Sequence, residues 1–249
     1  MGAAVVLSAR LKAVADMVRE KNRVVDVGCD HGYVPIYLVQ SGISPKVLAM
    51  DIKEGPLRRA REHVERAGLE EYIALRRSDG LRAYQTGEAD TLICAGMGGR
   101  LMRKILEAEP EKTKDFEELI LQPQSEILAF RRFLKEKGYS ICQEEMVWED
   151  GKFYPMIKAV QGKMCSLPYE EELCCRFGPV LLQKKNPTLI MYLKKEWENC
   201  LKLRAELSTA EGSSRAEQRL CELEREMEHL EKAAKICGCV LESGGYGRL

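Results

Sequence analysis

Carboxylates recur beside glycines in the first third of the chain, at positions where a ligand could meet them. The segment Asp26-Val27-Gly28-Cys29-Asp30-His31-Gly32 follows an apolar run that starts near Arg23 and precedes a second apolar run over 33–41. A buried strand that halts at glycines and restarts as a helix leaves backbone N–H groups open to a ligand. The acidic residues select the ligand. Dinucleotide turns usually carry G-x-G-x-x-G and seat a pyrophosphate on the helix N-terminus. Asp26 and Asp30 would repel a pyrophosphate and suit a ligand with ammonium or sulfonium charge, such as S-adenosylmethionine. A second strand-like run, 46–51, ends in Asp51, at the spacing of about 20 residues where a carboxylate grips a ribose diol.

Three further segments stand at predicted strand ends: Ser78-Asp79-Gly80-Leu81, Ala95-Gly96-Met97-Gly98-Gly99 and Leu121-Gln122-Pro123-Gln124. In an open α/β sheet, ligands lie outside the carboxyl ends of the strands, so these segments converge on one crevice. Asp79 could accept from an adenine amino group. The segment 95–99 follows the fourth strand, where reacting atoms meet, and offers bare backbone with one thioether.

The elements that must hold these residues alternate. Strands are predicted at 23–28, 46–51, 72–76, 90–95, 117–122, 139–147 and 152–160, after an opening helix over 7–20 and with helices near 33–41, 55–67, 98–107 and 124–137. Such alternation builds a mainly parallel sheet covered on both faces, and the hairpin around Glu149-Asp150-Gly151 closes it as in class I methyltransferases. The expected fold is α/β and Rossmann-like, with seven strands. The predicted methyltransferase domain covers 1–162, a coiled-coil-like helical hairpin covers 163–240, and 241–249 is expected to be disordered. The hairpin rests on two stripes, Ile190, Leu193, Trp197, Cys200, Arg204 and Leu207, then Ala216, Leu220, Leu223, Met227, Leu230, Ala234 and Cys237. Loop composition over 208–214 separates them.

Composition sets outer bounds. The 249 residues suffice for one α/β domain and an appendage. No apolar run approaches the roughly 18 residues of a membrane span, and no secretory signal is evident at the start, so a cytoplasmic protein is expected. Ten cysteines lack the paired spacing and companion histidines of a metal site, and Cys29, Cys94, Cys142, Cys200 and Cys221 read as core thiols. A net charge of zero leaves nucleic-acid binding open, while ten basic residues between Arg58 and Lys104 could form a phosphate-binding face or an ordinary solvated surface.

Together DVGCDHGYVPIYL, SDGL, AGMGG, LQPQ and GKFYPMI resemble the bacterial tRNA (adenine-22-N1)-methyltransferase family over about residues 5–160, and the helical pair resembles that family's C-terminal domain in type. The resemblance implies S-adenosylmethionine as cofactor, tRNA as partner, and methylation of N1 of an adenine in the D-arm region, with neither membrane nor metal involved and no oligomer required. It implies that Asp26, Gly28, Asp30, Gly32, Asp51, Asp79 and Met97 line the site, with Cys29, His31, Ile52, Ser78, Gly80, Ala95, Gly96 and Gly98 as further cofactor positions. Acceptor-side candidates are Gly99, Arg100, Gln122, Pro123, Phe153 and Tyr154, the two aromatics as stacking groups; Asp30 and Met97 are the catalytic candidates.

The acceptor atom has its own sequence argument. Enzymes that methylate exocyclic amines commonly carry an Asn/Asp-Pro-Pro-aromatic loop after strand four, and this chain has AGMGG there. Adenine N1 already holds an in-plane lone pair, so proximity and a negative surrounding suffice. Two other classes fit the same fold: a small-molecule methyltransferase, with the helical pair as a lid or oligomer interface, and a non-catalytic tRNA-binding module. Methyl transfer to bulk tRNA against metabolites separates the first, and cofactor binding without turnover marks the second.

Overall fold

Short apolar runs without polar alternation become the centre of a sheet buried on both faces. In the computed structural model, which describes residues 4–162, 168–208 and 214–242, these runs are β1 (Val24–Val27), β2 (Val47–Asp51), β4 (Thr91–Met97) and β5 (Glu118–Pro123), with β3 (Ile73–Arg77) a half-exposed edge strand beside β2. They pair in parallel. A hairpin of β6 (Tyr139–Glu149) and β7 (Lys152–Gln161) completes the sheet, β7 lying antiparallel between β5 and β6 in the order β3-β2-β1-β4-β5-β7-β6. The chain leaves β1 toward β2 and β3 on one side and returns to β4 and β5 on the other, so the crevice opens above the carboxyl ends of β1 and β4.

The helices are α1 (Ala9–Ala15), α2 (Tyr33–Gln40), α3 (Glu54–Ala67), α4 (Gly99–Ala108), α5 (Pro110–Thr113) and α6 (Ile127–Glu136). All seven predicted strands form, and the hairpin turn is tighter than the sequence suggested: Asp150 (φ 48°) and Gly151 (φ 76°) alone make a two-residue turn of the kind whose twist matches the strands. The opening helix is shorter than 7–20. Ser8 caps α1 by accepting from Leu11 N. Past Ala15, Lys158 Nζ donates to the Met17 carbonyl and Arg19 N donates to Glu118, so β5 and β7 take the backbone groups that would continue the helix. Those contacts fix α1 beside the crevice.

The chain divides into two compact units, Met1–Ser166 and Leu167–Leu249. The second contains α7 (Glu171–Phe177), α8 (Pro179–Gln183), α9 (Pro187–Ser208) and α10 (Ser214–Cys237). Asn186 caps α9, its side chain accepting from Thr188 N and Leu189 N, with Pro187 at the first helical position. The long helices pack on one another. On α9 the buried stripe is Leu189, Leu193, Trp197 and Cys200; Ile190 is half-buried and Arg204 is exposed, because the stripe starts one residue earlier than its spacing suggested. On α10 it is Leu223, Met227, Leu230, Ala234 and Cys237. Cys142 and Cys221 are exposed, so neither is a core thiol. Of the tail 241–249 expected to be disordered, Glu242 is described and its carbonyl accepts from Trp197 Nε1, while 243–249 lie outside the described residues. Of the predicted loop 208–214, Ser208 ends α9, Ser214 opens α10 and 209–213 lie outside the described residues.

Candidate active site

Above β1 and β4 lies a cavity of about 440 Å³ whose wall is made from the ends of three strands: Asp26 in β1 with Gly28, Cys29, Asp30 and His31 after it, Asp51 as the last residue of β2, and Ala95, Gly96 and Met97 from β4. Gly28 has φ 81°, and a Cβ built there would overlap Met97 Cε. A glycine is required for the chain to turn there beside the thioether. Asp26 is 5% exposed, and burial, followed by the charge of Asp51, raises its carboxyl to about 7. It accepts no hydrogen bond from the described residues, so an unpartnered carboxyl faces a cavity. Such a group fits a cationic ligand that brings its own donors.

Asp30 differs in kind. It adopts the left-handed conformation (φ 47°), and its side chain is 64% exposed at the rim, 3.6 Å from His31 Nε2 and 3.8 Å from Arg59. Asp51 Oδ1 accepts from Lys53 N, which turns its carboxylate toward the cavity mouth. Both buried thiols are held neutral: burial and the Asp26 charge push Cys94 up to about 12, and Cys29 is raised by the same causes and by Asp51. A cysteine nucleophile is therefore not what the site offers.

Other predicted positions support the wall without lining it. Ser78 N donates to the Asp51 carbonyl, but Ser78 turns its hydroxyl to the Gly80 carbonyl, and exposed Asp79 pairs with Arg82 at 3.3 Å. Gly32 and Ile52 also lie off the wall, Gly32 because it packs on Ala60. Gly98 and Gly99 press against the loop after β5; Gly99 N donates to the Ser125 carbonyl, and a Cβ at Gly99 would come within 2.6 Å of that oxygen. Arg100 faces a separate hollow beside α4. Phe153 packs on Trp148, with ring centroids 4.3 Å apart, and Tyr154 lies under Arg10, so neither proposed stacking residue reaches the cavity.

Sequence reasoning did not assign Arg10, Tyr33 or Lys53 to the site, nor Gln124 within the LQPQ segment; all four line the cavity, beside apolar Leu11, Val34, Pro56 and Ile93. Arg10 is the most elaborately held. Its guanidinium donates to Gln122 Oε1 at 3.0 Å, lies 3.8 Å from Glu149 and covers the Tyr154 ring. Gln122 is fully buried and the same oxygen accepts from Gly96 N, so it joins α1 to the irregular end of β4. Pro123 supplies the carbonyl that takes the other end of the Gln122 amide.

A family model described as a methyltransferase domain matches residues 7–157. The tRNA (adenine(22)-N(1))-methyltransferase of Bacillus subtilis (strain 168) is 33% identical over 228 residues, 91% of this chain and 96% of its own. The structure of a Streptococcus pneumoniae putative tRNA (m1A22) methyltransferase in complex with S-adenosyl-L-methionine superposes with a TM-score of 0.79 at 32% identity, covering 92% of this chain and 99% of the other. M. capricolum TrmK, solved with S-adenosyl-homocysteine, gives a TM-score of 0.79 at 26% identity, with 93% and 99% coverage. With the strand-end carboxylates, the glycine turn and the seven-stranded sheet all in place, the chain belongs to the tRNA (adenine(22)-N(1))-methyltransferase family.

Proposed function

We propose that the protein transfers the methyl group of S-adenosylmethionine to N1 of an adenine in tRNA, adenine 22 by family membership. The observation that carries this reading is the cavity at the switch point, where buried, unpartnered Asp26 and the glycine turn at Gly28 meet Asp51 and Met97. The residues fit the cofactor. Asp51 would hold the ribose diol, Asp26 the cationic amino-acid end and Gly28 the close approach of the ligand to backbone. Arg10, held by Gln122 beside Gly96, is placed to take an anionic group. When bound, S-adenosylmethionine supplies an electrophilic sulfonium methyl.

The protein's own residues need move no proton from the acceptor, since adenine N1 attacks through an in-plane lone pair. Their work is alignment and charge. The acceptor becomes cationic as the methyl arrives, and Asp30 at the rim lowers the energy of that charge. The decisive experiment is nucleoside mass spectrometry of tRNA lacking the modification, incubated with the pure protein and S-adenosylmethionine. 1-Methyladenosine is the expected product. Its absence, or methylation of metabolites instead, would return the small-molecule reading.

The basic residues between 58 and 104 sort themselves in the fold. Arg76 is taken by Glu88, Arg82 by Asp79 and Arg103 by Glu107. Arg100 and Lys104 make no ion pair among the described residues and flank a surface hollow of about 920 Å³. The loops at Gly98 and Ser125 that border this hollow continue into Met97 and Gln124 of the cavity, so a strand presenting its base to the cavity would lay phosphates here. Arg100→Ala with Lys104→Ala is expected to weaken tRNA binding about tenfold and to reduce the salt slope by roughly 2, with cofactor affinity unchanged. Filter binding across a salt series measures both. The helical unit carries exposed Lys184, Lys185, Lys194, Lys195 and Lys202, a lysine set of the kind that suits phosphates.

No helix among the described residues is long and apolar enough to cross a membrane.

A further inference from the structure

We propose that Tyr33 is the surface on which the acceptor adenine stacks, and that His31 and His63 exist beside it to hold its ring; this rests on the methyl-transfer reading of the same cavity. Tyr33 opens α2 directly after the glycine turn, lines the cavity together with Gly28 and Met97, and is 42% exposed. Its ring lies near-parallel to His63, with centroids 4.9 Å apart and planes 20° apart, and to His31 at 5.7 Å and 12°. The two histidine rings are themselves 5.9 Å apart at 21°.

This cluster is anchored from behind. His63 Nδ1 lies 2.9 Å from the His31 carbonyl, and a carbonyl only accepts, so Nδ1 carries the proton and the ring plane is set. His31 is in turn 3.6 Å from Asp30, which Arg59 approaches from the other side. A tyrosine packed against two rings has less rotamer freedom to lose when a base arrives, so stacking is opposed less by ordering the side chain.

The geometry of the reaction calls for such a surface. Adenine N1 lies on the Watson–Crick edge, and its lone pair must point in the ring plane at the methyl group. A contact through the ring face leaves that edge unobstructed. Among the described residues, the aromatic side chains on the cavity wall are Tyr33 and His31, while Phe153 and Tyr154 are covered by Trp148 and Arg10.

The test uses the full chain with Tyr33→Leu and Tyr33→Trp, neither of which disturbs a buried position. Single-turnover methylation of tRNA and calorimetry with S-adenosylhomocysteine are run in parallel. Expected is a loss of about 5- to 100-fold in kcat/KM for tRNA in the leucine variant, with recovery to within a few-fold in the tryptophan variant. Cofactor-product affinity should be unchanged in both. Wild-type turnover by Tyr33→Leu overturns the proposal, as does a parallel loss of S-adenosylhomocysteine affinity, which would make the ring a wall of the donor site. A wild-type protein that methylates no tRNA overturns the underlying reading and the proposal with it, whereas normal wild-type turnover with an indifferent Tyr33→Leu overturns the proposal alone.

Discussion

Asp26→Asn is expected to weaken S-adenosylmethionine binding by about tenfold to a hundredfold and to flatten its pH dependence. Burial and the neighbouring Asp51 raise the Asp26 carboxyl to about 7, so near neutral pH the ligand-free protein holds it only partly ionised. A cationic ligand binds the carboxylate form, so wild-type affinity climbs as pH rises through that value and falls by about tenfold per pH unit below it. Calorimetry from about pH 6 to about pH 9 compares the two proteins. The ligand's own amino group titrates identically against both, and the difference between the profiles isolates Asp26. Equal slopes would remove Asp26 from the cofactor site.

The same shift acts on folding in the opposite sense. The folded state holds this proton more tightly than the unfolded chain, whose carboxyl titrates at 3.8, so the stability it contributes is complete below that pH and lost as pH rises to about 7. Above that range the ionised group is an unpaired buried charge, and asparagine removes it. Asp26→Asn should therefore melt with the wild type near about pH 4 and several degrees above it at about pH 8. A variant that is more stable and binds less is the signature of a residue kept for function.

The parts of this site that were legible in the sequence are those made locally. A strand, a glycine turn and a helix within 23–40 are one continuous event, so Asp26, Gly28 and Asp30 fell into place from their spacing, as did Asp51 at the end of the neighbouring strand. Arg10 was not legible, because what gives it meaning is Gln122, 112 residues away, reached only when α1 is pinned by Glu118 and Lys158. Asp79 shows the converse. Its motif stands at a strand end, but an arginine three residues on pairs with the carboxylate at the surface. Tyr33 was hidden by its own neighbourhood: within an apolar helix start it reads as core, and its exposure follows from the left-handed turn at Gly32 that sets the helix direction. Phe153 and Tyr154 sit in a strand whose two-residue turn with β6 pairs Phe153 with Trp148 and Tyr154 with Val147, a register settled by long-range pairing.

Asp30→Asn is expected to lower the single-turnover rate of tRNA methylation by about a hundredfold while leaving cofactor affinity within a few-fold of wild type. Asparagine tolerates the left-handed backbone that Asp30 adopts at φ 47°, so the turn survives the change and only the charge is lost. The carboxylate is exposed between His31 and Arg59, where water screens it and its contribution to cofactor binding is small. On the proposed reading, RNA docked at the rim would exclude that water, and a unit charge would then act on the adenine through a medium of lower dielectric. The positive charge that grows on the purine as N1 takes the methyl is absent from the ground state, so the carboxylate favours the transition state over the bound substrate. Rapid-quench measurement at saturating tRNA and cofactor reads the chemical step, with both affinities determined alongside. A normal rate in Asp30→Asn would leave the carboxylate as a rim group that orders His31 and Arg59, and a defect explained wholly by weaker cofactor binding would make it a donor-site ligand.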